Sequence, residues 1–114
     1  MEYTVYARRL DKHQSEARTK NAILALDTDV NGRLDAFNPA ELLLASIAAC
    51  MIKGIERVSP LISFHFRGVE VKLHSVRQNT PPINSEIYYE LIVDTDESDQ
   101  NKLLHSFSKF RFRR

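Results

Sequence analysis

The chain has 114 residues, the size of one domain. Sixteen Lys and Arg stand against fifteen Asp and Glu, so a net charge of +1 leaves no whole-chain field to draw in nucleic acid or an anionic membrane. Hydrophobic residues at 43% and charged residues at 27% are the composition of a globular protein rather than a disordered one.

No apolar run reaches the roughly 18 residues of a membrane-spanning helix. The greasiest stretch, Leu42 to Ile52, is broken by Ser46 and soon followed by Lys53 and Glu56. Met1 to Tyr6 lacks the basic start and apolar core of a secretory signal. The single cysteine, Cys50, excludes an intramolecular disulfide and a multi-Cys zinc site. The expectation is a reduced, cytoplasmic protein of one domain, with no internal repeat.

Taken in chain order, Tyr3, Val5 and Ala7 alternate with Thr4, Tyr6 and Arg8, a strand pattern. The polar stretch Asp11 to Thr19 is read as a turn plus an edge strand, and Asn21 to Leu26 as a further short strand. Asn31-Gly32 marks a turn, because both residues tolerate positive φ. A helix is predicted from Pro39 to about Ser59. Asn38 suits the N-cap, Pro39 the first helical position, and Glu41 the position that closes a reciprocal cap. Pro60 stops it. Beyond it, Val69, Val71 and Leu73 alternate with Glu70, Lys72 and His74. After Asn79-Thr80-Pro81-Pro82, Ile87, Tyr89, Leu91 and Val93 alternate with Tyr88, Glu90, Ile92 and Asp94. These two runs predict a hairpin. Ser98 is read as the cap of a last helix through about Phe110, with Leu103, Leu104, Phe107 and Phe110 at helical spacing. The order is β-β-(β)-α-β-β-α: an α+β fold with a mostly antiparallel sheet covered by helices.

At 100° per residue, the apolar side chains of the central helix spread over about two-thirds of its circumference. A helix packed on one sheet needs a stripe only a little over 100° wide. The excess predicts a second cover, most economically a second copy of the chain. Cys50 falls at the edge of this band, with Ser46, Lys53, Gly54 and Arg57 as its helical neighbours. Gly54 leaves room above the sulfur, and the two cations favour a thiolate. The competing reading is a small core hydrophobe, the commoner fate of a free Cys.

The segment Phe37-Asn38-Pro39-Ala40-Glu41-Leu42-Leu43-Leu44-Ala45-Ser46-Ile47-Ala48-Ala49-Cys50 resembles the OsmC/Ohr family, the osmotically inducible and organic hydroperoxide resistance proteins. Gly68-Val69-Glu70-Val71-Lys72-Leu73 resembles the strand that follows the helix in that family. The resemblance implies an intertwined α+β homodimer with two central helices. For active members it also implies thiol-dependent reduction of organic hydroperoxides, with no metal or organic cofactor. It makes Cys50 the attacking thiol, with Arg18 (or Arg33) and Glu41 as the supporting Arg and Glu.

The match departs from the family in three places. The second cysteine is absent, and His105 stands at its position in His105-Ser106-Phe107-Ser108-Lys109. An external thiol is then the implied reductant. The family Glu usually follows the Pro directly. Here that residue is Ala40, and Glu41 sits about 180° from Cys50 around the helix. A closing strand is expected after the second helix, where this sequence has Phe110-Arg111-Phe112-Arg113-Arg114. The alternative to a peroxidase is a non-catalytic relative that binds a small apolar ligand at the subunit interface. His13, His65, His74 and His105 show no metal-ligand spacing. The aromatic-basic runs Phe64 to Arg67 and Phe110 to Arg114 lack the basic domain charge of a nucleic-acid surface.

Overall fold

A computed structural model describes residues 1–79 and 82–96, with 78, 79 and 82–85 described in the backbone alone. The helix expected from Ser98, and His105 within it, lie outside the described residues. The chain forms two compact units, one spanning Met1–Ala45 and the other starting at Ser46.

The first unit holds a three-stranded antiparallel sheet of β1 (Tyr6–Asp11), β2 (Gln14–Thr19) and β3 (Ala22–Leu26), in the order β1-β2-β3. Both turns are two residues long, which fixes the register. At Lys12-His13, the Asp11 carboxylate accepts the His13 N–H at 2.8 Å, and a bulge between Arg9 and Asp11 absorbs one residue. At Lys20-Asn21, Lys20 takes a positive φ of 54°.

Two expectations need correcting here. The first strand starts at Tyr6 rather than Tyr3, because its ladder is set by pairing with β2; Tyr3 and Val5 stay 80% and 66% exposed. The polar Gln14–Thr19 segment is the central strand, not an edge. Its most costly residue there, Glu16, is neutralised across the sheet by Arg8 and along the strand by Arg18.

The loop after β3 is built on carboxylates. Asp27 is buried, and its carboxylate accepts the backbone N–H groups of Asp29 and Arg33. Asp29 accepts the Asn31 N–H, and the Gly32 N–H closes a turn on the Asp29 carbonyl at 3.0 Å. Gly32 has φ +83°, the conformation for which the Asn31-Gly32 pair was singled out.

α1 spans Pro39–Val58. Its cap is the predicted reciprocal one. Asn38 Oδ1 accepts the Glu41 N–H at 2.8 Å, and Glu41 Oε1 accepts the Asn38 N–H at 3.0 Å. The α-helix gives way to a 3-10 turn over Ser59–Ile62, which ends at Ser63 in the left-handed region. Two N–H groups that would otherwise be orphaned, those of Ser63 and Phe64, bond back to Pro60 and Ser59.

In the second unit, β4 (Gly68–Asn79) and β5 (Pro82–Asp94) form an antiparallel hairpin with a bulge at Val76/Arg77. Its register puts Val69 opposite Val93, Val71 opposite Leu91 and Leu73 opposite Tyr89, the apolar face foreseen from the alternation. The other face pairs Lys72 with Glu90 and His74 with Tyr88, the last two rings stacked at 6.5 Å. Arg67 pins the base of the hairpin: its N–H bonds the Asp94 carbonyl, and its guanidinium bridges the Asp94 and Asp96 carboxylates. Those two carboxylates push the Arg67 pKa up. Among the described residues the buried hydrophobic side chains are Ile55, Phe64 and Leu91.

Candidate functional site

Cys50 is exposed. A cap at Asn38 and an unbroken helix to Val58 fix its position, two turns before the helix ends. An added Cβ at Gly54, one turn further on, would meet nothing within 4 Å, so the space above the sulfur is open as the sequence implied. Lys53 and Arg57 are exposed and share its helical face, three and seven residues on. The structure therefore removes the reading of Cys50 as a small core hydrophobe within one chain. An exposed thiol on a rigid helix, with cations on its face and room in front of it, can act as a nucleophile.

Glu41 is engaged in the helix start: its N–H donates to Asn38 Oδ1 and its Oε1 accepts the Asn38 N–H. Arg33 is spent locally: its guanidinium is bidentate to Asp35, at 2.9 and 3.0 Å, and its N–H goes to Asp27. Asp35 raises its pKa, and in return Arg33 holds the Asp35 carboxyl below the usual range.

Arg18 stands on β2, where its Nε–H donates to Glu16 Oε1 at 3.1 Å. Arg8 on β1 donates its Nε–H to the same oxygen at 3.1 Å. These two donors, Arg18 first, hold the Glu16 carboxyl below its ordinary value. The sequence reading singled out Arg18 but missed Arg8 and Glu16. The signal for them was an i, i+2 spacing in β2 together with a hairpin register that the turn at Lys12-His13 and the bulge between Arg9 and Asp11 decide.

His13 Nδ1 meets Asp29 Oδ2, tying the β1-β2 turn to the Asp27 loop. The Asn31 N–H and then His13 lower the Asp29 pKa. Among the described residues no group of three or more His, Cys, Asp or Glu is placed to hold a metal ion. Among them, too, no helix is long and apolar enough to cross a membrane.

No protein-family model matches the sequence, and no curated protein matches it. Solved structures do match in shape. The crystal structure of an OsmC like protein from Mycoplasma pneumoniae aligns with a TM-score of 0.69 at 18% identity, over 96% of this chain and 82% of that one. That of a putative osmotic stress induced and detoxification response protein from Psychrobacter arcticus 273-4 aligns at 0.74 and 21% identity, over 90% and 80% of the two chains. That of a hypothetical protein from Aquifex aeolicus VF5 aligns at 0.73 and 18%, over 96% and 82%. The helix signature ending in Ala48-Ala49-Cys50 and the architecture thus point the same way: the chain has the OsmC-like fold.

Proposed function

We propose that the protein reduces organic hydroperoxides through Cys50 in a reducing compartment, with an external thiol as reductant. The observation that carries this reading is the exposed Cys50 thiol on a capped helix, facing open space at Gly54. The OsmC-like fold supports it.

The thiolate attacks the outer peroxide oxygen and the O–O bond breaks. The alkoxide leaves as alcohol after taking a proton, and Cys50 becomes a sulfenic acid. One external thiol condenses with that acid, releasing water and forming a mixed disulfide. A second external thiol then displaces Cys50 and leaves as the oxidised disulfide. The chain has no second cysteine, so both reducing equivalents come from outside. In this reading Cys50 supplies the nucleophile, and the Glu41 carboxylate is bonded at the helix start.

We also propose that the working form is a homodimer. Its support is the apolar surface that one chain leaves open. In α1, Leu43 is 48% and Ile52 37% exposed, while Ile55 is the buried residue of a helix that is apolar over most of its circumference. Burial of such surface is the main favourable term in association.

The test is consumption of cumene hydroperoxide by reduced protein supplied with dithiothreitol, beside Cys50→Ser. Turnover that disappears in the variant is expected. Absence of turnover while Cys50 still reacts with an alkylating reagent would overturn the reading and favour a non-catalytic ligand-binding protein.

A further inference from the structure

We propose that one face of the N-terminal sheet binds an oxyanion carrying an apolar tail, such as a medium-chain carboxylate, between Arg8 and Arg18. The two guanidiniums are cross-linked through a single acceptor, each donating its Nε–H to Glu16 Oε1 at 3.1 Å. Among the described residues, their remaining terminal N–H groups meet no acceptor. Their side chains are 54% and 50% exposed, against 15% for Glu16. The carboxylate is thus the covered floor and the two forks are the open rim. Two positive charges against one negative leave the cluster at +1, a local charge that favours a further anion at the rim. A guanidinium with free terminal N–H groups presents the parallel donors that match a carboxylate or phosphate.

The same face supplies the apolar part. In the ladder, Arg18 is the direct partner of Tyr6 on one side and of Ile23 on the other, so all three project from one face. Tyr6 and Ile23 are each 61% exposed. Arg18 therefore lies between an open aromatic ring and an open aliphatic chain, with Arg8 and Glu16 in the next row. A headgroup held by the two forks would lay its tail along Tyr6 or Ile23. This site stands on the first unit alone and does not depend on the chemistry proposed for Cys50.

Titration calorimetry at low ionic strength, with octanoate, inorganic phosphate and 1-octanol as separate probes of the intact protein, tests the proposal. Saturable octanoate binding is expected, weakening with added salt. Arg8→Gln and Arg18→Gln should each weaken it by about tenfold or more, the scale of a lost charge-assisted pair. Glu16→Gln should tighten it by about threefold, because the floor loses its negative charge while keeping an acceptor. Damage to the sheet can only weaken binding, so the opposite sign in Glu16→Gln separates recognition from misfolding. No saturable octanoate heat, binding indifferent to both Arg substitutions, or a Glu16→Gln that weakens binding would overturn the proposal. Inorganic phosphate matching octanoate would overturn the apolar arm, and 1-octanol matching it would overturn the oxyanion.

Discussion

The helix start offers the sharpest test, because it separates a structural carboxylate from a catalytic one. Asn38→Ala removes the acceptor of the Glu41 N–H, a bond of 2.8 Å at an N-cap. Losing such a cap costs about 1 kcal/mol. For a chain of this size that lowers the melting temperature by roughly 4 °C. Glu41→Ala removes the return bond of 3.0 Å and the negative charge in the first helical turn. Water can replace the lost acceptor at this exposed residue and alanine favours the helix, so the net cost is about 0.5 kcal/mol. Glu41→Gln keeps an acceptor for the Asn38 N–H and should cost less still. The double substitution should fall short of the sum, since the two bonds share one geometry. The assay is thermal unfolding by circular dichroism at one protein concentration, which holds any association fixed. Each variant should consume cumene hydroperoxide at the parent rate while folded. A Glu41→Gln protein with an unchanged melting temperature but no turnover would refute the argument and return the carboxylate to the chemistry. An Asn38→Ala protein that melts with the parent would refute the cap.

Three other outcomes follow from the same physics. Glu16, Asp29 and Asp35 are each held below their ordinary carboxylate values, Glu16 by Arg18 and Arg8, Asp29 by the Asn31 N–H and His13, and Asp35 by Arg33. Their stabilisation is therefore full above the ordinary carboxylate range and is lost as pH falls through the lower folded values. Acid unfolding should be flatter in Glu16→Gln, and an identical acid limb would remove Glu16 from the account. Ile55→Ala empties a site only 1% exposed, and denaturant titration should show a loss of about 2–5 kcal/mol. Sedimentation at micromolar concentration should give a dimer, and a monomer there would overturn the association inferred from Leu43 and Ile52.

Features with a local cause were legible in the residues alone. Asn38-Pro39-Ala40-Glu41 specified the start of α1 because a cap is a contract among four neighbouring residues, and each bond it required is present. Asn31-Gly32 specified its turn for the same reason. The alternation on either side of Asn79-Thr80-Pro81-Pro82 specified the two faces of the β4-β5 hairpin, since a period of two admits one inward set. The spacing from Asn38 to Cys50 placed the thiol on the helix, and the openness at Gly54 follows from the missing side chain.

What needed the tertiary structure was everything set by which strands neighbour one another. Gln14–Thr19 looks like an edge because it is polar, yet it is the central strand, and its polarity is accommodated by pairing rather than by exposure. Where β1 begins was likewise decided by its partner and by the bulge at Arg9/Asp11, not by the alternation at Tyr3. Exposure of Cys50 could not be read from its helical wheel, because a wheel ranks faces without saying which of them is covered. The meeting of Arg8, Glu16 and Arg18 joins residues up to ten positions apart. A two-residue turn and the bulge beside it in β1 together bring two guanidiniums onto one carboxylate oxygen, and no composition or motif encodes that distance.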